Sequence, residues 1–208
     1  MSLAFGGWLL ASYLLGAIPT SYLVGKLFRG IDLRLVGSRN LGATNLYRTL
    51  GWQYAVPVGL FDLAKGAIPV AVFGAQLTSI SLFPIYCGIA AVIGHVFSVF
   101  VGFKGGKGVA TAAGVLLALA PFALLAVAVV WGVTVWLSGY VSLGSVLAAS
   151  LFPVAAELLH PGRPEPLWFD ILLAAFLVLK HRSNIQRLLK GTENRFGTRG
   201  RRAQTAPS

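Results

Sequence analysis

From Val109 to Gly139 the chain carries no charged side chain at all. Built as one helix, that stretch would run about 46 Å, against about 30 Å of bilayer hydrocarbon. Pro121 stands near its middle and interrupts helical hydrogen bonding. The stretch is therefore expected to form two helices, about Val109 to Ala120 and Phe122 to Ser138, folded as a hairpin that reaches the outer surface. The rest of the sequence agrees with a lipid environment: 56% of residues are hydrophobic and 11% charged, where a soluble domain carries about 25% charge. The expected class is an all-α integral membrane protein.

Four further apolar stretches are expected to span, at about Leu3 to Leu27, Gly51 to Leu77, Ser81 to Val101 and Leu167 to Leu179, and a fifth runs from Tyr140 to about Ala156. Pro19 and Gly16 are expected to kink the first of these. It has no basic residue before it and runs too long for a signal-peptide core, so it is read as retained. The net charge of +11 is split into short clusters between apolar runs, as in cytoplasmic loops rather than a nucleic-acid surface. With Arg29, Arg34, Arg39 and Arg48 inside, Glu157 and Glu165 outside, and a basic carboxyl end, the charge bias is best met by seven transmembrane helices. The N-terminus is then outside and the C-terminus cytoplasmic. Residues 1–191 make one domain and 192–208 a basic polar tail carrying Arg195, Arg199, Arg201 and Arg202, its last residues disordered. Cys87 is the only cysteine, which excludes an intrachain disulfide and a cysteine metal site. Asp62 and Lys65 lie three residues apart in an apolar run, hence on one helical face. Two readings stay open for them, an ion pair that fixes helix packing and a direct substrate role.

The polar residues concentrate in four places that this topology puts on the cytoplasmic side. In Gly102-Phe103-Lys104-Gly105-Gly106-Lys107-Gly108, four of seven residues are glycine. The backbone can curl so that several amides point at one oxyanion, with Lys104 and Lys107 adding charge and a following helix N-terminus adding to the anion preference. The loop is not a nucleotide P-loop, because Val101 and Gly108 stand where that motif needs Gly and Ser or Thr. A plain turn whose lysines obey the charge bias is the competing reading. Gly37-Ser38-Arg39-Asn40-Leu41-Gly42-Ala43-Thr44-Asn45, with Arg48 a turn later, is rich in hydroxyl and amide donors and in a possible bidentate cation. Such residues also satisfy their own turns. Ser142 and Ser145 form a third patch, and His181 with Asn184, three apart on one helical face, the fourth. Together they argue for one shared anion pocket. There is no GxSxG, HExxH or carboxylate cluster, and Asp32 and Glu193 are the only acids expected in cytoplasmic loops. Metal-dependent phosphoryl transfer is thereby disfavoured, and acyl transfer from a good leaving group fits.

GSRNLGATNLYR, DLAKG, GHVFSVFVGFKGGKGVAT, YVSLGS and HRSNIQRLLKGTE, in order from Ser38 to Glu193, closely resemble the bacterial acyl-phosphate:glycerol-3-phosphate acyltransferases of the PlsY type. Arg39 departs from that pattern, where glycine is more usual. The resemblance implies a seven-helix enzyme of the bacterial cytoplasmic membrane, active on its cytoplasmic side. It would move a fatty acyl group from acyl phosphate to the 1-hydroxyl of glycerol 3-phosphate, giving lysophosphatidic acid and phosphate in the first acylation of phospholipid synthesis. No cofactor, metal, nucleic acid or obligatory protein partner is implied. Carried over by motif, Ser38, Arg48, Lys104, His181 and Asn184 take the catalytic roles. Asn40, Thr44, Asn45, His95, Gly105, Gly106, Lys107 and Ser142 bind or shape the substrate pocket. The competing class is a carrier for a phosphorylated small molecule, which often shows an internal repeat that is not found here.

Overall fold

The computed structural model describes residues 3–196, so Arg199, Arg201 and Arg202 and the expected disorder of the tail lie outside the described residues. These residues form ten α-helices and no strand. They divide into two compact units, Met1–Pro121 and Phe122–Ser208.

In the first unit, α1 (Leu3–Ala17) and α2 (Thr20–Arg29) form an apolar pair bent by 41°, the geometry of a broken span or a re-entrant loop. The bend falls at Ile18–Pro19, where proline cannot donate to the helical ladder. The segment after it, expected as an open polar loop, also contains a helix, α3 (Ala43–Leu50). Next, α4 (Trp52–Ile68) continues through a π-helical turn, Pro69–Phe73, and a 3-10 turn, Gly74–Leu77, into a 26-residue span. Pro69 supplies no N–H but keeps its carbonyl, which accepts from the Gly74 amide five residues on, so the widened turn absorbs the proline. After it come α5 (Phe83–Val96), a 3-10 turn at Val99–Val101, and α6 (Val109–Leu119).

Paired glycines let these helices touch backbone to backbone. A Cβ on Gly16 of α1 would strike the Ala91 carbonyl of α5, and one on Gly94 of α5 would strike the Tyr13 carbonyl of α1. Gly66 of α4 and Gly114 of α6 do the same to Thr111 and Leu63. The two close-packed pairs share α4 and α5 as neighbours and bring the ends of α1, α4, α5 and α6 together.

The second unit is built on α7 (Pro121–Ser138), α8 (Val141–Leu159), α9 (Leu167–Lys180) and α10 (Arg182–Leu189). Pro121 opens α7 instead of sitting in the turn before it, because its missing N–H costs nothing at a first helical position. Along α7, Phe122, Leu125, Val129, Val133 and Trp136 stay exposed, an apolar face suited to lipid. A Cβ on Gly144 of α8 would stand 3.0 Å from the Trp131 carbonyl of α7, and Trp131 Nε1 donates to Ser145 Oγ at 3.3 Å. In the loop between α8 and α9, Arg163 pairs with Asp170 and stands 3.6 Å from Glu157. Burial alone would lower the Arg163 guanidinium, but the hydrogen bond to Asp170 and the charges of Asp170, Glu157 and Glu165 together hold it above its usual range.

Among the described residues, Trp52–Leu77, Phe83–Val101, Pro121–Ser138 and Val141–Leu159 are long and apolar enough to cross a bilayer, and the bent α1–α2 pair would be a fifth if it crosses as one span. The remaining two helices expected to cross are shorter, 11 residues for α6 and 14 for α9, against the ~20 that a lone span needs.

Candidate active site

In the first unit the site begins with Asn45, buried in α3. Its Nδ2 donates to the carbonyls of Leu33 (3.2 Å) and Val36 (3.1 Å), and its Oδ1 accepts from the Ser38 amide at 2.9 Å. One amide side chain thus ties down the loop before α3, which explains Asn at that position. Gly37 and Arg39 flank Ser38, both with a φ of 58°, so the backbone turns left-handed on either side of it. Ser38 is left half-buried at the turn while Arg48 extends from the last turn of α3. Asn40 and Thr44 are half-buried at the start of that helix.

The glycine loop is built against the end of α5. The amides of Phe103, Gly105 and Gly106 donate to Ser98 (2.8 Å), Val96 (3.0 Å) and His95 (3.2 Å) carbonyls. Three amides expected to converge on an oxyanion are therefore spent inside the fold, because α5 ends in open carbonyls that the returning chain satisfies. Gly105 and Gly106 act by lacking side chains: a Cβ would strike the His95 carbonyl in one case and the His95 ring in the other. The attraction for an anion rests on the exposed Lys104, the half-buried Lys107 and the N-terminus of α6, which opens directly after Gly108.

His95 is buried behind this loop. Its Nδ1 lies 3.1 Å from Thr111 Oγ1 and 3.9 Å from Asp62 Oδ1, and its Nε2 faces Gly106. Asp62 and Lys65 pair at 2.7 Å with both side chains buried.

In the second unit, Ser142 opens α8, His181 stands at the junction of α9 and α10, and Asn184 lies in the first turn of α10. Each of the three is buried. Nδ1 of His181 lies 2.8 Å from the Leu177 carbonyl, which can only accept, so Nδ1 carries the hydrogen. Past α10 the Gly191 and Thr192 amides bond back to the carbonyls of Leu188 (3.1 Å) and Arg187 (2.8 Å) with Gly191 at a φ of 68°. This glycine-terminated cap reverses the chain and brings back Glu193, whose role the sequence reading missed. Its Oε1 accepts from Ser142 Oγ (2.9 Å) and Asn184 Nδ2 (2.7 Å), and its Oε2 from Arg187 Nε (2.7 Å). The available signal was a single acid standing in an otherwise basic segment that starts at Lys180.

Among the described residues no three His, Cys, Asp or Glu side chains gather as metal ligands would. Each unit offers donors of its own: hydroxyl, amide and cationic side chains in the first, and hydroxyl, amide and imidazole side chains in the second. Donors of these kinds suit holding phosphate.

A family profile described as glycerol-3-phosphate acyltransferase matches residues 6–191. The glycerol-3-phosphate acyltransferase of Trichlorobacter lovleyi is 48% identical over 189 residues, covering 91% of this chain and 96% of the relative. That of Chlorobaculum parvum is 41% identical over 233 residues, covering 97% and 100%. Among solved structures, PlsY, an integral membrane glycerol 3-phosphate acyltransferase, in its glycerol 3-phosphate form superposes with a TM-score of 0.86 at 39% identity. That likeness covers 97% of this chain and 99% of that one. The lysophosphatidic acid form gives 0.83 at 39% identity, covering 94% and 97%. The motif order read from the sequence, the membrane helices and these likenesses agree, and the chain belongs to the glycerol-3-phosphate acyltransferase family.

Proposed function

We propose that this membrane acyltransferase moves a fatty acyl group from acyl phosphate to the 1-hydroxyl of glycerol 3-phosphate, yielding lysophosphatidic acid and inorganic phosphate. The observation that carries this reading is the likeness, over nearly the whole chain, to PlsY in a glycerol 3-phosphate form and a lysophosphatidic acid form, an acceptor and its acylated product. The acyl donor is the one that the motif resemblance implies, and the hydrogen-bond donors of both units are compatible with it. Acyl phosphate is a mixed anhydride whose carbonyl needs no covalent enzyme intermediate. The glycerol oxygen attacks that carbonyl, the new ester C–O bond forms as the C–O bond to phosphate breaks, and the hydroxyl proton passes to a substrate phosphate oxygen. The transfer calls on no cofactor.

In this reading Ser38, Arg48, Lys104, His181 and Asn184 hold and neutralise substrate phosphate, Arg48 and Lys104 supplying the charge. Ser142 and Lys107 add donors, while Asn40, Thr44, Asn45, His95, Gly105 and Gly106 shape the turns that carry them. The chain crosses the bacterial cytoplasmic membrane seven times, N-terminus outside and C-terminus inside, which puts these turns where soluble glycerol 3-phosphate arrives and the acyl chain comes from the bilayer. Purified protein in detergent, without vesicles, should form lysophosphatidic acid and release phosphate when given acyl phosphate and glycerol 3-phosphate together, and should form much less lysophosphatidic acid with acyl-CoA, whose leaving group is CoA. A carrier would release none, and equal turnover with acyl-CoA would refute the donor.

A further inference from the structure

Lys65 is the largest fully buried side chain among the described residues, 1% exposed, and Asp62 beside it is 2% exposed. Helix packing alone does not account for them, since a buried ion pair is commonly no better than apolar residues of the same volume. Their position does. At the break between α1 and α2, Lys65 Nζ donates to the Ile18 carbonyl at 2.8 Å, and Thr20 Oγ1 at the start of α2 donates to Asp62 Oδ1 at 3.3 Å. The cation thus stands at the negative end of α1 and the anion at the positive end of α2, aligned with both half-helix dipoles. The same carboxylate lies 3.9 Å from His95 Nδ1, beyond hydrogen-bond length, while Thr111 Oγ1 stands 3.1 Å from that nitrogen and the Gly106 backbone packs against the far side of the ring. A small cavity lined by Thr20, Asp62, Lys65, His95, Gly105 and Gly106 lies behind the glycine loop.

We propose that Asp62 and Lys65 are positioning residues for the glycine loop: they lock the broken first span and, through His95, set where Gly105 and Gly106, and so Lys104 and Lys107, stand. The inference rests on the reading that this loop holds substrate phosphate. A pair serving packing alone could be replaced by a neutral pair of the same shape without touching catalysis. A pair that backs the loop could not, because loop placement errors of about 1 Å can cost up to about a hundredfold in turnover efficiency.

The test uses the full chain in detergent. The variant D62N/K65M removes both charges together, so no lone buried ion is left, and T111V removes only the hydroxyl that holds His95. The double variant is expected to keep the wild-type elution volume and a cooperative melting transition while its KM for glycerol 3-phosphate rises about tenfold, with a smaller change in kcat. T111V should raise the same KM by a lesser factor. Limited trypsin cleavage after Lys104 and Lys107, which needs no activity, should speed up in both variants. Wild-type KM and wild-type cleavage rates in the folded variants would overturn the proposal. If the double variant does not fold, T111V decides by the same two readouts. A wild-type protein that releases no phosphate would refute the functional reading instead, and the cleavage rates would still judge the positioning role.

Discussion

Removing the Glu193 carboxylate should unfasten the Ser142–Asn184 cluster of the second unit. In the native protein it accepts three hydrogen bonds, from Ser142, Asn184 and Arg187. The first two donors are buried, and Arg187 is 37% exposed. Glu193→Ala leaves two buried polar groups short of an acceptor at about 1–3 kcal/mol each. The bond to Arg187 is screened and adds less, at most about 1 kcal/mol. The sum, about 2–7 kcal/mol, corresponds to roughly 4–28 °C in melting temperature for a chain of this size. Glu193→Gln keeps an oxygen for Ser142 and Asn184 while giving up the charge, so it should lose only about 1 kcal/mol. Differential scanning fluorimetry in detergent orders the three proteins, and phosphate release measured well below the lowest melting temperature separates stability from function. Because Ser142 and Asn184 are left to reorient, Ala at this position should lose more than tenfold in kcat/KM even where it is folded, and Gln should recover most of it. An alanine variant with wild-type melting and wild-type kcat/KM would refute this account of the carboxylate.

The Gly106→Ala change drives a methyl into the His95 ring, so phosphate-release kinetics should show KM for glycerol 3-phosphate raised at least about tenfold while membrane yield is preserved. Gly114→Ala pushes the Leu63 carbonyl of α4 away and should cost about 3 kcal/mol or more, read as a fall in melting temperature. Arg39→Gly relieves a non-glycine residue held at a φ of 58°; it should leave stability unchanged or raise it by up to about 1 kcal/mol, again by melting. Hydrogen bonds from the Arg34 side chain and amide hold the Asp32 carboxyl down to about 2, from an ordinary 3.8. Because the folded value is the lower one, any stabilisation is complete above about pH 5 and is lost as pH falls through about 2. The melting difference between wild type and Asp32→Asn should therefore be flat near neutrality and vanish in strong acid.

Much of this protein is written locally. A charge-free run interrupted by Pro121 dictates two apolar helices, and a proline at position 19 dictates a bent first span, because both consequences follow from a missing N–H and the length of a helix. The glycine loop and the placing of Ser38 in a turn ahead of Arg48 are legible for the same reason, since glycine and hydrogen-bonding side chains punctuate the chain wherever they occur.

Only the tertiary structure decided which groups find each other. Nothing near Gly105 and Gly106 in the sequence says that their amides will be consumed by the end of α5, or that His95 will turn its ring onto them from behind. Asp62 could be paired with Lys65 by helical spacing, but the carbonyl of Ile18 and the hydroxyl of Thr20 that explain the pair are more than forty residues away. Glu193 was visible as a lone acid, yet its partner Ser142 lies 51 residues earlier. Backbone preferences act between neighbours in the chain and can be read from it. Hydrogen bonds and close backbone approaches between distant segments depend on how the helices pack, and no local pattern of residues encodes that alone.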